Sequence, residues 1–162
     1  MVKTRFGSLE QYEKGGVEVI NDDPRNYAFS NIFEVASKAE PWEKIAVAKN
    51  IKYVLEAIRA EGTSPWYAVS HDESAIVMDG KIEIRLVKPD TPIVTESHEG
   101  TTMLEGSPKG RAMGRITARR GHMALLPSGA AYQFHAVRTG VILLQTVKGD
   151  LTIERWKDIC QK

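Results

Sequence analysis

Two short segments carry the residue types and spacing that a metal or binding site would need. The first runs from Pro65 to His71 and continues to Glu73, with six residues between Glu73 and Gly80. The second begins at Gly121 and reaches Pro127-Ser128-Gly129 after five residues. On a regular strand, a histidine and a glutamate two positions apart point to the same face. Both are ligands for redox metals, but such sites need about three protein ligands around one open position.

Together these segments resemble the two conserved motifs of the cupin superfamily, over residues 50 to 148. The resemblance implies an all-β, single-domain cupin, which is a double-stranded β-helix or jelly-roll barrel. Metal-binding cupins place a His-x-His pair before the glutamate of the first motif and another histidine after the second. Those three positions hold Tyr67, Val69 and Tyr132, so only Glu73 remains of the usual four ligands. We therefore expect no metal ligands and no catalytic residue in this chain.

A displaced metal site is an alternative that the sequence leaves open. His71 and Glu73 could share a site if His122 or His98 supplied a third ligand. The competing interpretation is that the histidines are satisfied polar side chains or loop residues. Glu73 could likewise close a hydrogen-bond network at a barrel mouth.

Aromatic residues flank both motifs. Trp66 and Tyr67 lie at the first motif, and Tyr132 and Phe134 lie at the second. Such rings either fill the barrel or form the wall of a pocket for an aromatic ligand. We expect Trp66 to face the ligand, because the preceding proline stiffens the chain beside it. The predicted substrate-binding residues are Trp66, Tyr67, His71 and Tyr132.

The sequence around the motifs predicts strands. Asp79-Gly80 between two apolar runs predicts a hairpin with a type I′ turn. Residues 44 to 60 fit helical spacing, but they also fit an alternation through Ile51, Tyr53, Leu55 and Ala57, and the β-rich sequence that follows favours a strand. Residues 88 to 114 predict a long loop.

Short apolar runs separated by turn residues continue to the end of the chain. They include strands from Arg115 to Thr117, from Tyr132 to Val137 and from Val141 to Val147, the last two divided at Thr139-Gly140. The predicted organisation is an N-terminal arm with one short helix over residues 1–43, a degenerate cupin barrel over 44–153, and a C-terminal helix over 154–162. The arm either covers the barrel mouth or reaches a partner subunit.

Composition indicates one globular domain and excludes several partners. The chain has 162 residues, 42% of them hydrophobic, and its 22 basic and 21 acidic residues give a net charge of +1. No global field favours nucleic acid or an anionic membrane. The basic run Lys109, Arg111, Arg115, Arg119 and Arg120 indicates a solvated face or a surface for an acidic partner.

The cysteine content and the N-terminus predict a cytoplasmic protein. Cys160 is the only cysteine, which fits a reducing compartment. The sequence shows no signal peptide and no apolar stretch of about 18 residues. We expect the protein to be neither secreted nor embedded in a membrane.

Longer phrases resemble the small subunit of hydroquinone 1,2-dioxygenases. They are VINDDPRNYAFSNIFEVASKAEPWEK, AEGTSPWYAVSHDESAIVMDG, ARRGHMALLPSGAAYQF and GVILLQTVKGDLTIERW. In this family of two-component enzymes of para-nitrophenol and related phenol degradation, a larger cupin subunit carries non-haem Fe(II). The resemblance implies an extradiol-type dioxygenase, a heterotetramer of two small and two large subunits that opens hydroquinone with O₂ to 4-hydroxymuconic semialdehyde.

The role implied for this chain is to complete or stabilise the active site of its partner, so it should be inactive alone. One alternative is a free-standing homodimeric cupin enzyme or small-molecule binder with an atypical site around His71 and Glu73. Another is a cupin that only senses a ligand or serves as a scaffold.

The missing ligands generate a first prediction. The isolated chain should bind no stoichiometric iron, manganese or zinc, because three of the four ligand positions hold Tyr67, Val69 and Tyr132. Elemental analysis of the purified chain checks this. A content of about one metal per chain that is lost on replacing His71 or Glu73 would contradict it.

Overall fold

The computed structural model describes residues 3–159, and it is built mainly from strands. Cys160 lies outside the described residues. The ten strands are β1 (Lys44–Asn50), β2 (Tyr53–Thr63), β3 (Tyr67–Ala68), β4 (Glu73–Asp79), β5 (Lys81–Pro89), β6 (Thr102–Met103), β7 (Gly110–Arg119), β8 (Met123–Leu126), β9 (Ala131–Val147) and β10 (Thr152–Ile153). The helices are α1 (Ile32–Lys38) and α2 (Trp156–Ile159), and Pro24–Asn26 forms a single 3-10 turn. The all-β prediction is confirmed.

The strands curl into two halves that share β9. The first half of β9 lies between β3 and β5, in the order β6-β3-β9-β5-β7. Its second half lies between β2 and β4, in the order β10-β1-β2-β9-β4-β8. Apolar side chains from both halves fill the space between them, among them Ile58, Val69, Val77, Ile82, Ile84, Leu126, Phe134, Ile142 and Leu144. The core is therefore the interior of the curled sheet.

β9 is one strand of 17 residues, where the sequence predicted two strands divided at Thr139-Gly140. A Cβ atom on Gly140 would lie 2.6 Å from the carbonyl oxygen of Asp79. Glycine at this position thus permits a close backbone approach. Residues 139–140 have the composition of a turn, but in the structure the glycine permits this close approach inside a continuous strand.

Asp79-Gly80 does not form the predicted hairpin. β4 pairs with β8 and β9, whereas β5 pairs with β7 and β9, so the two strands enter different halves of the sheet. Gly80 has a φ of +81°, but Asp79 is not in the positive-φ region that a type I′ turn requires at both positions. A Cβ on Gly80 would lie 3.0 Å from the Cα of Gly140. The dipeptide carries the chain between the two halves.

Residues 44 to 60 are β structure, as predicted, but they form two strands separated by a turn at residues 51–52 and not one strand, and the alternation used for the prediction does not follow the inward face. The buried inward positions of β2 are Val54, Glu56, Ile58 and Ala60, while Ile51 and Tyr53 are exposed. Ala57 is buried on the opposite face, where α1 packs against β2. A strand covered on both faces shows no clean alternation, and that weakened the sequence signal.

The predicted loop over residues 88 to 114 is shorter than expected. β5 extends to Pro89 and pairs there with Gly110, so β7 begins well before the predicted strand at Arg115. β6 interrupts the loop and pairs with β3. Backbone pairing extends these strands through a stretch whose glycines and prolines indicated a loop.

The segment before β1 lies against the barrel. The backbone N–H of Leu9 donates to the Asp79 carboxylate at 2.9 Å, and the rings of Tyr12 and Phe33 stack with centroids 6.4 Å apart. Asn31 caps α1 by accepting from the N–H of Phe33 at 2.9 Å. Within residues 3–159, no helix is long and apolar enough to span a membrane. The division into arm, barrel and terminal helix stays a prediction.

Candidate functional site

The interior of the barrel holds a buried carboxylate. Glu73, at the start of β4, is 1% exposed. One carboxylate oxygen accepts hydrogen bonds from the hydroxyls of Thr101 and Thr146, the latter at 2.8 Å, and the other accepts from the hydroxyl of Tyr132. Hydrogen bonds to an ionised acceptor are stronger than neutral ones. These three hydroxyls compensate Glu73 for the loss of water.

A cluster of aromatic rings surrounds this carboxylate. Tyr132 stands 5.5 Å from Tyr67 and 5.2 Å from Phe134, measured between ring centroids. All three side chains are buried. Burial, reinforced by the nearby Glu73 charge, raises the pKa of Tyr132 well above its ordinary value, and burial also raises the pKa of Tyr67. Both phenols therefore stay protonated at neutral pH, and Tyr132 remains a donor.

A buried lysine and a second buried glutamate lie beside the cluster. Lys44, on β1, is 2% exposed, and Glu56, on β2, is 1% exposed. The ammonium of Lys44 lies 4.5 Å from the centre of the Tyr67 ring, at cation–π distance. The hydroxyl of Thr152 donates to Glu56 Oε1 at 2.7 Å, whereas Lys44 Nζ and Glu56 Oε2 have no hydrogen-bond partner among residues 3–159.

The pKa directions of these two groups follow from burial. Desolvation lowers the pKa of Lys44, and the negative charges of Glu56 and Glu73 oppose that shift. Desolvation raises the pKa of Glu56, and the Lys44 charge opposes it in turn. Each charge thus favours the charged form of the other in an environment that disfavours both.

The four predicted substrate-binding residues have different surroundings. Tyr67 and Tyr132 are buried in the interior described above. Trp66 is half-buried, and its carbonyl accepts from the N–H of Leu104 at 2.8 Å. His71 is half-buried in a bend before β4, where its Nε2 accepts from the N–H of Gly100 at 3.2 Å. None of the four lines either of the two surface cavities described below.

The two candidate third ligands of a displaced metal site, His98 and His122, each form a hydrogen bond with a residue close to them in the sequence. His98 pairs with the hydroxyl of Thr102 at 2.9 Å, and Nδ1 of His122 accepts from the N–H of Arg119 at 2.9 Å. His71 precedes the strand that carries Glu73, so the same-face argument does not apply to this pair. Over residues 3–159, no three His, Cys, Asp or Glu side chains are grouped so that they could hold a metal ion.

The interior does not fit the iron that a cupin dioxygenase uses. The positions of the three missing ligands, Tyr67, Val69 and Tyr132, point into the barrel as the motif requires, but they supply no imidazole. Glu73, the one ligand position that is retained, already accepts three hydrogen bonds. The nearby positive charge of Lys44 also interacts favourably with the carboxylate. A divalent cation would have to displace hydroxyl donors and lie beside an ammonium group.

Two surface cavities lie away from this interior. One, of about 600 Å³, lies between the N-terminal segment, α1 and α2, and its walls include Phe29, Val35 and Ile159. The other, of about 250 Å³, lies between the end of β3 and the loop after β5. Neither is lined by Trp66, Tyr67, His71 or Tyr132.

Four further residues belong to the site without a direct signal in the sequence, namely Lys44, Glu56, Thr101 and Thr146. A charged residue in a strand normally indicates a solvent-facing position. The available signal was strand parity, because Glu56 lies between Val54 and Ile58 at two-residue spacing and all three face inward. The competing alternation through Tyr53, Leu55 and Ala57, on the opposite face of β2, obscured that signal.

Two solved structures that are about half identical to this chain are both hydroquinone 1,2-dioxygenases. A chain of hydroquinone 1,2-dioxygenase PnpCD, in complex with Cd²⁺ and 4-hydroxybenzonitrile, is 50% identical, with a TM-score of 0.95 and coverage of 100% of this chain and 98% of that one. A chain of hydroquinone 1,2-dioxygenase from Sphingomonas sp. TTNP3, with 4-hydroxybenzoate bound, is 53% identical, with a TM-score of 0.97 and coverage of 100% and 99%.

A second kind of chain from PnpCD, in complex with Fe³⁺, shares only the fold. It is 13% identical with a TM-score of 0.64, and the match covers 85% of this chain but 37% of that longer one. No protein-family model and no curated protein matches the sequence. The two chains that are about half identical share this curled all-β fold, in agreement with the cupin fold that the motif spacing predicted.

The buried charges generate a prediction about stability. Lys44→Met should destabilise the chain by about 3 kcal/mol or more at neutral pH, because it leaves Glu56 buried without its opposing cation. The pKa of Glu56 is already raised by burial and should rise further in this variant. A raised acid pKa means that the folded state binds the proton more tightly, so stability falls as pH rises above the unfolded value of 4.5.

Urea unfolding at pH 5 and pH 8 measures this effect. The loss caused by Lys44→Met should be larger at pH 8, and the double variant Lys44→Met/Glu56→Gln should recover most of it. An equal loss at both pH values, with no recovery in the double variant, would show that the two charges are not coupled.

Proposed function

The chain belongs to the hydroquinone 1,2-dioxygenase family as one of its cupin-fold subunits, and we propose that it is the small subunit, which binds no metal. One observation carries this proposal, namely that Glu73, the one ligand position that is retained, is buried and already accepts hydrogen bonds from three hydroxyls. An interior with these contacts stabilises the fold of the barrel and is not suited to bind a reacting molecule. Function on a common fold is decided by the site, and here the site is a structural one.

We further propose that the partner is the larger cupin subunit, in a heterotetramer of two small and two large chains. Fe(II) is held by that larger subunit, where it supplies the electron transfer between an aromatic substrate and O₂. The reaction is the opening of hydroquinone to 4-hydroxymuconic semialdehyde. We place the complex in the cytoplasm, because a single cysteine and a reduced iron both suit a reducing compartment.

The contribution of this chain is to support the wall of the active site in its partner. Trp66 and His71 are half-buried, so a bound ring can approach them without opening the barrel. Tyr67 and Tyr132 support them from inside, since their buried rings fix the strands on which the two motifs lie. In this proposal the four residues orient the substrate and exclude water, and none of them exchanges a proton with it.

The activity should therefore require both subunits. The pure chain with Fe(II) should not consume hydroquinone, and adding the larger chain should produce ring cleavage and a complex with the mass of a heterotetramer. Oxygen uptake and light scattering measure the two outcomes. Steady turnover by the chain alone would favour the free-standing homodimeric cupin, with its site around His71 and Glu73.

Trp66→Ala separates a ligand-facing role from a core role. A core tryptophan should lose about 3 to 5 kcal/mol of stability on truncation. A tryptophan at the substrate should lose little stability but lower kcat/KM of the assembled enzyme about 5- to 30-fold. Trp66→Phe is the matched control, because it keeps a ring at this position and should restore most of the activity. An unchanged kcat/KM in an assembled Trp66→Ala complex would exclude Trp66 from the site.

A further inference from the structure

The β5–β7 ladder places like charges directly opposite one another. Lys81 pairs with Arg119, Arg85 pairs with Arg115, and Lys88 pairs with Arg111. All six side chains are exposed. Lys81 and Arg85 share the outer face of β5, whereas Lys88 has the parity of the buried Ile84 and Leu86 and lies with Arg111 on the other face, at the end of the ladder. Like charges at opposed positions of an antiparallel pair are destabilising. The chain therefore carries a local electrostatic cost along this ladder, although its net charge of +1 would allow basic and acidic residues to alternate there.

One acidic side chain on the outer face of the ladder compensates part of that charge. Glu83 bonds Arg85 at 2.6 Å and lies 3.8 Å from Arg115. In the part of the chain that the structure describes, no acidic side chain lies within ion-pair distance of the other four basic residues, Lys81, Lys88, Arg111 and Arg119. The ladder thus holds an excess of positive charge that the described part of the chain does not neutralise.

The same ladder ends at an unpaired strand edge. Among residues 3–159, β5 is the one strand that pairs with β7, so the opposite edge of β7 presents free backbone donors and acceptors as far as the turn at Arg119, whose N–H and carbonyl are bonded to His122. Residues 110–115 are all exposed, including Met113, which is 47% exposed. A long edge that is open on both faces is a ready template for another strand.

Protection of the edge does not account for the whole pattern. Charged residues on an edge strand discourage pairing with another copy of the same strand, and this explains the arginines of β7. It does not explain Lys81, Arg85 and Lys88, because β5 lies between β7 and β9 and is not an edge. Such a surface repels a second copy of itself and attracts a surface of opposite charge. Both effects make it selective for an acidic partner.

We propose that the β5–β7 ladder and the free edge of β7 together bind an acidic extended segment of the larger subunit. This segment adds to the sheet as a further strand beside β7. The proposal rests on the proposed function, which supplies the larger subunit as the partner. Backbone hydrogen bonds along the edge provide affinity, and acidic side chains facing the basic ladder provide register and specificity.

The test uses Arg111→Glu/Arg119→Glu. Each substitution places a carboxylate opposite a lysine, Lys88 or Lys81, so the isolated chain should keep or raise its Tm. The same change places like charges against an acidic partner, and the Kd for the larger subunit of the same organism should rise about 10- to 100-fold. A structural role for the arginines would lower both properties, so the opposite signs distinguish docking from folding.

Two further measurements complete the experiment. Lys14→Glu/Lys157→Glu makes the same charge change on exposed residues away from this ladder, and its Kd should stay within about twofold of the original. Hydrogen exchange of the original chain should slow about 10-fold or more at residues 110–119 when the larger subunit binds.

The outcomes separate this proposal from the one on which it rests. If the original chain does not assemble with the larger subunit, both proposals fail. If it assembles but Arg111→Glu/Arg119→Glu binds equally well, or β7 gains no protection, the docking surface alone is wrong. Binding of a DNA duplex that needs these arginines, with unchanged affinity for the larger subunit, also overturns it.

Discussion

The carboxylate of Glu73 ties together the two ends of β9, and the rest of the fold depends on that connection. Tyr132, near the start of the strand, and Thr146, near its end, both donate to this one carboxylate. Fourteen residues of straight strand would span about 46 Å, so the strand must curl to bring both hydroxyls to one group. Gly140 lies between them, where the backbone passes against Asp79. The curl of β9 brings its four neighbouring strands around a common interior.

The composition of that interior explains how a cupin frame can keep its motif glutamate when the histidine positions hold other residues. The phenol, two threonine hydroxyls and an ammonium surround Glu73 with the positive and donor groups that a buried carboxylate requires. A buried ion stripped of such partners would be strongly destabilising, so these groups must be retained together. The glutamate of the first motif is thus kept for a structural reason that differs from metal binding. Its presence in a sequence is weak evidence for a metal unless the histidines accompany it.

The sequence predicted what is encoded locally and missed what depends on distant pairing. The motif glycines and prolines, the lost ligands at Tyr67, Val69 and Tyr132, and the strands over 44 to 60 are local features, and they led to the correct fold class. The dipeptide Asp79-Gly80 has the composition of a hairpin turn, but the partners of β4 and β5 are decided by β9, more than fifty residues later. Lys44 and Glu56 were missed because their charge predicts exposure. Only the tertiary structure shows that both are buried and that their opposite charges interact in the interior.

The central place of β9 has a consequence for how the chain is made. During synthesis the N-terminal part emerges first, at about 5 to 20 residues per second. β3, β4 and β5 all pair with β9, so they must wait several seconds for a strand that is translated well after them. Throughout that interval Ile82, Ile84 and Leu86 have no core to enter. The nascent chain is therefore exposed to aggregation until β9 has been translated, and its yield in a cell should depend on chaperones that hold apolar strands apart during that delay.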